Sequence, residues 1–285
     1  MKQFLRSMRT GGGGGGPIGM DIGSHSIKAV QLPRTRADDP SERACHALIL
    51  PRRESPTDDA WLSEDEARRL KRSLQLQGFV GEDVIACVPR RYMIDGLFEL
   101  PPVNSGAPLD MLAQQELGRA HQRDPQTLQC SWWRRPKPAR ASDTTHAMAV
   151  AVAISDAEAL IDPLDRVGLN VRVLDCPAYG LLRAIQRETL EAQSIQAIVD
   201  IGHAAALLVL VVEGVVIYQR AMPQCGLAAL IQEIAEKNNL DPQHIPALLR
   251  RLGGKLRADD EAPVRLQLTA MARRTPSEDD LIRYE

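Results

Sequence analysis

An α/β fold built from two similar lobes is predicted by three observations. The first is a turn written twice, Met20-Asp21-Ile22-Gly23-Ser24 and Val199-Asp200-Ile201-Gly202-His203. Each copy is entered by one apolar run and left by another, residues 27–32 in the first and 206–211 in the second. The second observation is a further apolar run after each hairpin, at 44–50 and 215–222, which completes a three-strand meander in each half. The third is helical spacing behind each meander: Ala67, Leu70 and Leu74 in one, Leu227, Leu230, Ile231 and Ile234 in the other. Glycine in such a turn is expected to adopt backbone angles that other residues resist, and successive amides there can form a concave nest for an anion. Two of these turns would clamp one phosphate chain between two lobes.

The elements follow in order from composition and spacing. Residues 1–16 carry Lys2, Arg6 and Arg9 ahead of a glycine run, and read as a disordered basic tail on a linker. The hairpin at 18–32 leads through a polar loop at 33–39 to the strand at 44–50. A helix over 65–77 ends at Gly78, placed as a C-cap glycine should be. Residues 84–88 form a buried strand closed by Pro89. A different block follows: strand 92–100 ended by Pro101-Pro102, helix 109–119, strand 127–133, polar loop 134–145 and strand 146–154. Ser155 is placed to cap a helix over 156–167 that Gly168 stops. Strand 171–174 and helix 178–190 lead into the second meander, at 197–200, 206–212 and 215–222, with Glu213-Gly214 as its last turn. Helix 226–237 carries a Glu233–Lys237 pair, and a short helix is expected at 245–252. Beyond Gly253 only 264–271 is apolar enough to be ordered. The expected domains are the 1–16 tail, a first lobe over 17–88 to which 171–195 returns, an inserted subdomain over 89–170, a second lobe over 196–254, and a polar stretch over 255–285.

Composition narrows the class. The chain has 285 residues, 44% of them apolar, enough for a sizeable core. A formal charge of −2 leaves no footprint for a nucleic acid or an anionic membrane surface. The five cysteines are scattered without metal-ligand spacing, which fits a reducing compartment. No apolar run approaches the roughly 20 residues that span a bilayer.

Four ordered segments resemble the PilM family of type IV pilus assembly proteins, within the actin-like ATPase superfamily. They are Gly19-Met20-Asp21-Ile22-Gly23-Ser24-His25-Ser26-Ile27-Lys28-Ala29-Val30; Val84-Ile85-Ala86-Cys87-Val88-Pro89 with Phe98-Glu99-Leu100-Pro101-Pro102; Gly168-Leu169 with Asp175-Cys176-Pro177-Ala178-Tyr179; and Val199-Asp200-Ile201-Gly202. The resemblance covers about residues 17–240. It implies an actin-like, ribonuclease H-like two-lobed fold with a small α+β subdomain inserted at about 89–175, where this family and its cell-division relative FtsA carry theirs. It also implies ATP with magnesium between the lobes, a cytoplasmic location at the inner membrane through a partner, and binding of the N-terminal tail of PilN in a groove beside the subdomain, among other pilus assembly components.

The candidate site residues divide between the two turns. In the first, Asp21 suits a hydrated magnesium, Gly23 admits a phosphate, Ser24 and Ser26 offer hydroxyls, and Lys28 offers a point charge. The same residues also suit an ordinary hairpin whose Asp and Ser bond their own backbone. The second turn keeps Asp200, as a second indirect magnesium residue, and the amides of Gly202 and His203. It then runs His203-Ala204-Ala205-Ala206 where the family tends to place small hydroxyl residues. His25 and His203 are expected to approach each other, as solvated or stacking rings, with a two-His metal pair as the bolder reading. Gly253-Gly254 follows a basic helix end and reads as a helix stop, not as the adenine-binding turn of the fold, which leaves the C-terminal lobe incomplete. Trp132-Trp133 is a candidate partner anchor, although one of two neighbouring strand residues usually faces the core. The readings that remain are an assembly scaffold that binds ATP with at most weak turnover, a pseudo-ATPase interaction protein, and a phosphotransferase of the sugar-kinase type, for which no catalytic Asp or complete adenosine motif is found.

Overall fold

Strand β1 (Gly15–Ile22) and strand β2 (Ser26–Pro33) form the first hairpin, and β3 (His46–Pro51) pairs antiparallel along β2. In the computed structural model, residues 15–33, 45–53, 61–137, 143–185 and 195–252 are described. Helix α1 (Glu64–Leu76) then crosses over to β4 (Asp83–Cys87), which lies parallel to β1. The α1 start follows from its sequence: the Ser63 hydroxyl accepts from the Glu66 amide at 3.2 Å, and three acidic residues occupy the first turn, where the helix dipole favours them. Its apolar stripe, Ala67, Leu70 and Leu74, is buried against Ile18, Met20 and Ile22 of β1 and Val84 and Ala86 of β4. Gly78 closes it at φ +81°, the left-handed geometry that glycine adopts at a helix end.

Gly15 and Gly16, expected as part of the linker, start the first strand instead. Gly15 pairs with Pro33, and the buried Gln31 side chain donates to the Gly16 carbonyl at 2.7 Å and to the Val80 carbonyl at 2.6 Å. A Cβ at Gly15 would come within 2.6 Å of Val80 Cγ2, so this end of the strand needs a residue without one. The basic residues of the tail lie outside the described residues.

The inserted block makes its own sheet in the order β5-β7-β6. Its strands are β5 (Met93–Leu100), β6 (Leu128–Arg134) and the central β7 (Thr145–Ala153), with α2 (Leu109–Ala120) on one face. Strand β7 shows why: Ala147, Ala149 and Ala151 alternate with Met148, Val150 and Val152. The alanine face packs with Ala113 and Leu117 of α2, while the bulkier face joins the clusters that include Val88, Ala178 and Leu207. Helix α3 (Ile154–Arg166) follows directly, two residues earlier than Ser155 suggests. Its N-cap is Ala153 without a side-chain bond, and Ser155 lies inside the first turn, because the chain enters α3 directly from the last residue of β7.

Strand β8 (Asn170–Asp175) returns to the first sheet, parallel to β4, and completes the order β3-β2-β1-β4-β8. Helix α4 (Pro177–Ile185) leads on; the rest of the expected 178–190 helix lies outside the described residues. The second meander is β9 (Gln196–Ile201), β10 (Ala206–Val212) and β11 (Val215–Met222), ordered β11-β10-β9. Glu213 and Gly214 both take positive φ, 53° and 71°, in the two-residue turn that suits a twisted hairpin.

The chain divides into two compact units, Met1–Met222 and Pro223–Glu285. The second contains α5 (Leu227–Asn238) and α6 (Ile245–Leu252), whose small core is Ala235, Ile245 and Leu248. Asn239 ends α5 at φ 52°, and Lys237 bonds Glu233 at 2.5 Å. The Gly253-Gly254 pair and the apolar run at 264–271 fall outside the described residues.

Candidate functional site

The two Asp-Ile-Gly turns close in the same way. The Gly23 amide donates to the Ser26 carbonyl at 3.0 Å, and the Gly202 amide donates to the Ala205 carbonyl at 3.1 Å. A Cβ at either glycine would lie 2.9 Å from that same carbonyl oxygen. Neither glycine takes a positive φ, so the sequence-based reason for them needs correcting: they are there for close backbone approach and not for an unusual backbone angle.

The first turn is gripped from behind by residues that motif reading passed over. Arg52 and Glu66 form an ion pair at 2.5 Å with side chains only 3% and 4% exposed. The Arg52 guanidinium also donates to the Gly23 carbonyl at 3.1 Å and the Trp61 carbonyl at 2.5 Å. Trp61 Nε1 donates to the Ile22 carbonyl at 2.5 Å, and the Arg52 amide donates to the His25 carbonyl at 2.9 Å. A buried charge pair of this kind persists only when its remaining hydrogen-bonding capacity is met, and here the turn's own carbonyls meet it. The signal in the sequence was an arginine just after a strand and a glutamate at the third position of a helix. Neither is distinctive until the fold brings them together.

Across the first sheet, strand register sets Lys28, Asp21, Cys87 and Asp175 in one row. Lys28 donates to Asp21 at 3.1 Å, both about half exposed, so the charge expected for a phosphate is paired within the hairpin. Burial pushes the Cys87 thiol up to about 12, with the Asp175 and Asp21 carboxylates adding to the effect. Burial also raises Asp175, opposed by its ion pair with Arg183 and by the Cys176 amide, which donates to it at 2.9 Å. Gly180 of α4 lies over this row, where a Cβ would sit 3.7 Å from Cys87 Sγ, at ordinary contact distance. Asp175 was quoted as part of a motif but given no role; parallel pairing of β8 with β4 is what brings it beside Cys87.

The second turn presents its residues at an edge strand. Asp200 is exposed, and Val199 and Ile201 are 53% and 60% exposed. His203 reaches the first turn: its ring stacks on that of His25, centroids 4.3 Å apart and planes 20° from parallel. Burial lowers the His203 pKa, and the neighbouring His25 charge lowers it further. The expected approach of the two histidines is therefore realised, as a stack.

An ATP phosphate chain with magnesium does not fit between turns arranged in this way. The stacked imidazoles bridge the tips of the turns, Lys28 is paired with Asp21, and the second turn offers His203 and alanines in place of hydroxyls. Ser24, Ser26 and Gly23 do share the first turn, while Gly202 and Asp200 share the second. Among the described residues no group of three or more His, Cys, Asp or Glu side chains is arranged to hold a metal ion.

The tryptophan pair has internal partners. Trp132 Nε1 donates to Asp110 of α2 at 2.6 Å, on the alanine face of the small sheet. Trp133, on the opposite face, donates to the Val216 carbonyl at 2.7 Å and meets Tyr179 edge-on at 4.7 Å. It joins the small sheet to β11 and α4, a structural use of the residue considered as a partner anchor.

No family model matches the chain, and no curated protein matches it. Among solved structures, the chain is similar to one from a PilM-PilN type IV pilus biogenesis complex, at 19% identity and a TM-score of 0.66, over 94% of this chain and 78% of that one. Weaker likenesses are to the ethanolamine utilization protein EutJ from Carboxydothermus hydrogenoformans (13% identity, TM-score 0.44, 82% and 61% of the two chains) and to a Bacteroides thetaiotaomicron protein with an actin-like ATPase fold (10% identity, TM-score 0.43, 85% and 81%). The chain has a PilM-like α/β fold, with a three-stranded sheet and α2 of its own inserted between β4 and β8.

Proposed function

We propose that the chain is an actin-fold scaffold of type IV pilus or related secretion assembly, which binds the N-terminal tail of a PilN-like inner-membrane protein. The observation that carries this reading is the likeness in fold, over 94% of the chain, to a structure from a PilM-PilN complex. In this reading the protein works in the cytoplasm, held at the inner membrane by that partner. No helix among the described residues is long and apolar enough to cross a membrane. The inserted subdomain supplies exposed apolar side chains on both faces: Met111 on α2 and, on the sheet face opposite α2, Leu97 on β5 are each left about half exposed, and an apolar tail laid on either face would cover one of them. Contacts, and not ATP turnover, are the working output in this reading, because the stacked histidines and the His-Ala-Ala-Ala turn favour a scaffold that works without nucleotide.

Calorimetric titration of the purified protein with a synthetic peptide of a PilN-like N-terminal tail tests the proposal. Saturable binding that either Leu97→Asp or Met111→Asp weakens, according to which face the tail covers, is the expected result. Absence of binding by the folded wild type overturns it.

A further inference from the structure

Helix α1 covers one face of the first sheet, and the other face is open over β1, β2 and β3. Strand alternation turns Met20, Ala29 and Ala86 toward α1 and sets Gly19, Val30 and Ile85 side by side on the outer face. On that face Gly180 of α4 lies over Cys87, while Val30 and Leu32 of β2 and Ile49 of β3 are 45%, 48% and 71% exposed. Gly19 has no side chain, so the row between Val30 and Ile85 is a shallow groove with an apolar wall on each side. The charges beside it cancel, because Lys28 donates to Asp21 at 3.1 Å. An open apolar strip of this kind calls for a cover.

The chain enters the sheet at the end of this groove, where Gly15 pairs with Pro33, the neighbour of Leu32. Residues 1–14 lie outside the described residues. Their sequence sets Met1, Phe4, Leu5 and Met8 at the i, i+3, i+4, i+7 spacing of one helix face, puts Lys2, Arg6 and Arg9 off that face, and ends in four glycines at 11–14. Four residues of linker reach up to about 14 Å, enough to turn back over the sheet. Ten residues of helix are about 15 Å long. Leu32 lies four strand residues from Lys28, the partner of Ile49, a run of about 13 Å that such a segment matches.

We propose that residues 1–10 dock back on the outer face of the first sheet as a tethered cover, with Phe4, Leu5 and Met8 over Gly19 and against Val30, Leu32 and Ile49. Lys2, Arg6 and Arg9 then face water. A segment this short does not hold a helix alone in water, so its order comes with docking. The glycine linker keeps it at an effective concentration of about millimolar, and a contact too weak to retain a separate peptide suffices. The face is closed in the free chain and opens when the segment is displaced.

Timed tryptic digestion of the full chain tests the cover, because Arg6 and Arg9 are cut only in the undocked fraction. Cleavage after Arg9, followed by mass spectrometry, is expected to run about tenfold slower in the wild type than in Leu5→Ser or in Ile49→Ser, which alters the other side of the contact. With Leu5→Ser in place, Ile49→Ser should add nothing further. Phe4→benzoylphenylalanine, irradiated in the full chain, should cross-link to β2 or β3. Wild-type cleavage as fast as that of Leu5→Ser overturns the proposal, and so does a cross-link to another part of the chain. Protection that fades on dilution, with a dimer mass by light scattering, overturns the tethered cover in favour of a second copy on the same face.

Discussion

Replacing Arg52 by methionine should destabilise the first lobe far more than loss of a surface charge would. The guanidinium and the Glu66 carboxylate are 3% and 4% exposed, so the variant leaves a carboxylate buried without its cation. Breaking a buried pair from one side costs about 3–5 kcal/mol. The Gly23 and Trp61 carbonyls lose a donor as well, at about 1 kcal/mol each if water does not replace it. In a protein of this size each kcal/mol shifts the melting temperature by about 2–4 °C, so 3–5 kcal/mol alone lowers it by about 6–20 °C. Thermal unfolding by circular dichroism measures this directly. Arg52→Met/Glu66→Leu removes both charges and should regain most of the loss, because an apolar pair of similar volume needs no compensation. A single variant within about 1 kcal/mol of wild type, or a double variant no better than the sum of the singles, would refute the assignment of Arg52–Glu66 as the brace of the turn.

Three further outcomes follow. Gly202→Ala brings a Cβ to 2.9 Å from the Ala205 carbonyl, and Gly23→Ala does the same at the Ser26 carbonyl; each should cost about 1–3 kcal/mol by denaturant unfolding. Trp133→Phe keeps much of the packing on Tyr179 but leaves the Val216 carbonyl without its indole donor, for a loss of about 1 kcal/mol, whereas Trp133→Ala should cost about 3–5 kcal/mol. With its thiol pushed up to about 12, Cys87 should resist alkylation of the native protein at about pH 8, while the exposed Cys45 and Cys225 react promptly; mass spectrometry of partly labelled protein gives the order, and early labelling of Cys87 would contradict the burial of the strand row.

Much of the fold was legible because its signals are local. The duplicated turn, the alternation in β7 and the stripe of α1 each lie within a few residues of one another, and every one of them became the expected kind of element. What was not legible depends on pairing between distant segments. Gly15 and Gly16 read as linker because the Gln31 and Val80 that need them lie 15 or more residues away. Ser155 is a good cap by type, but β7 runs into α3 before reaching it. At the site, His25 and His203 were brought together by reasoning from the duplication, and the structure turns their approach into a stack. Lys28 looked free for a ligand because its cross-strand neighbour Asp21 is named only by register. Arg52, Glu66 and Trp61, which fix the first turn, belong to no motif and emerge only from burial and hydrogen bonding.

The central claim is that this chain works by holding a membrane partner's tail. The most direct measurement is co-purification from detergent-solubilised membranes of cells that express the tagged chain with a PilN-like protein, intact or lacking its N-terminal tail. Capture of the intact partner and loss of the tail-deleted one is the predicted result. Equal recovery of both, or of neither while the tagged chain remains folded, would contradict the account.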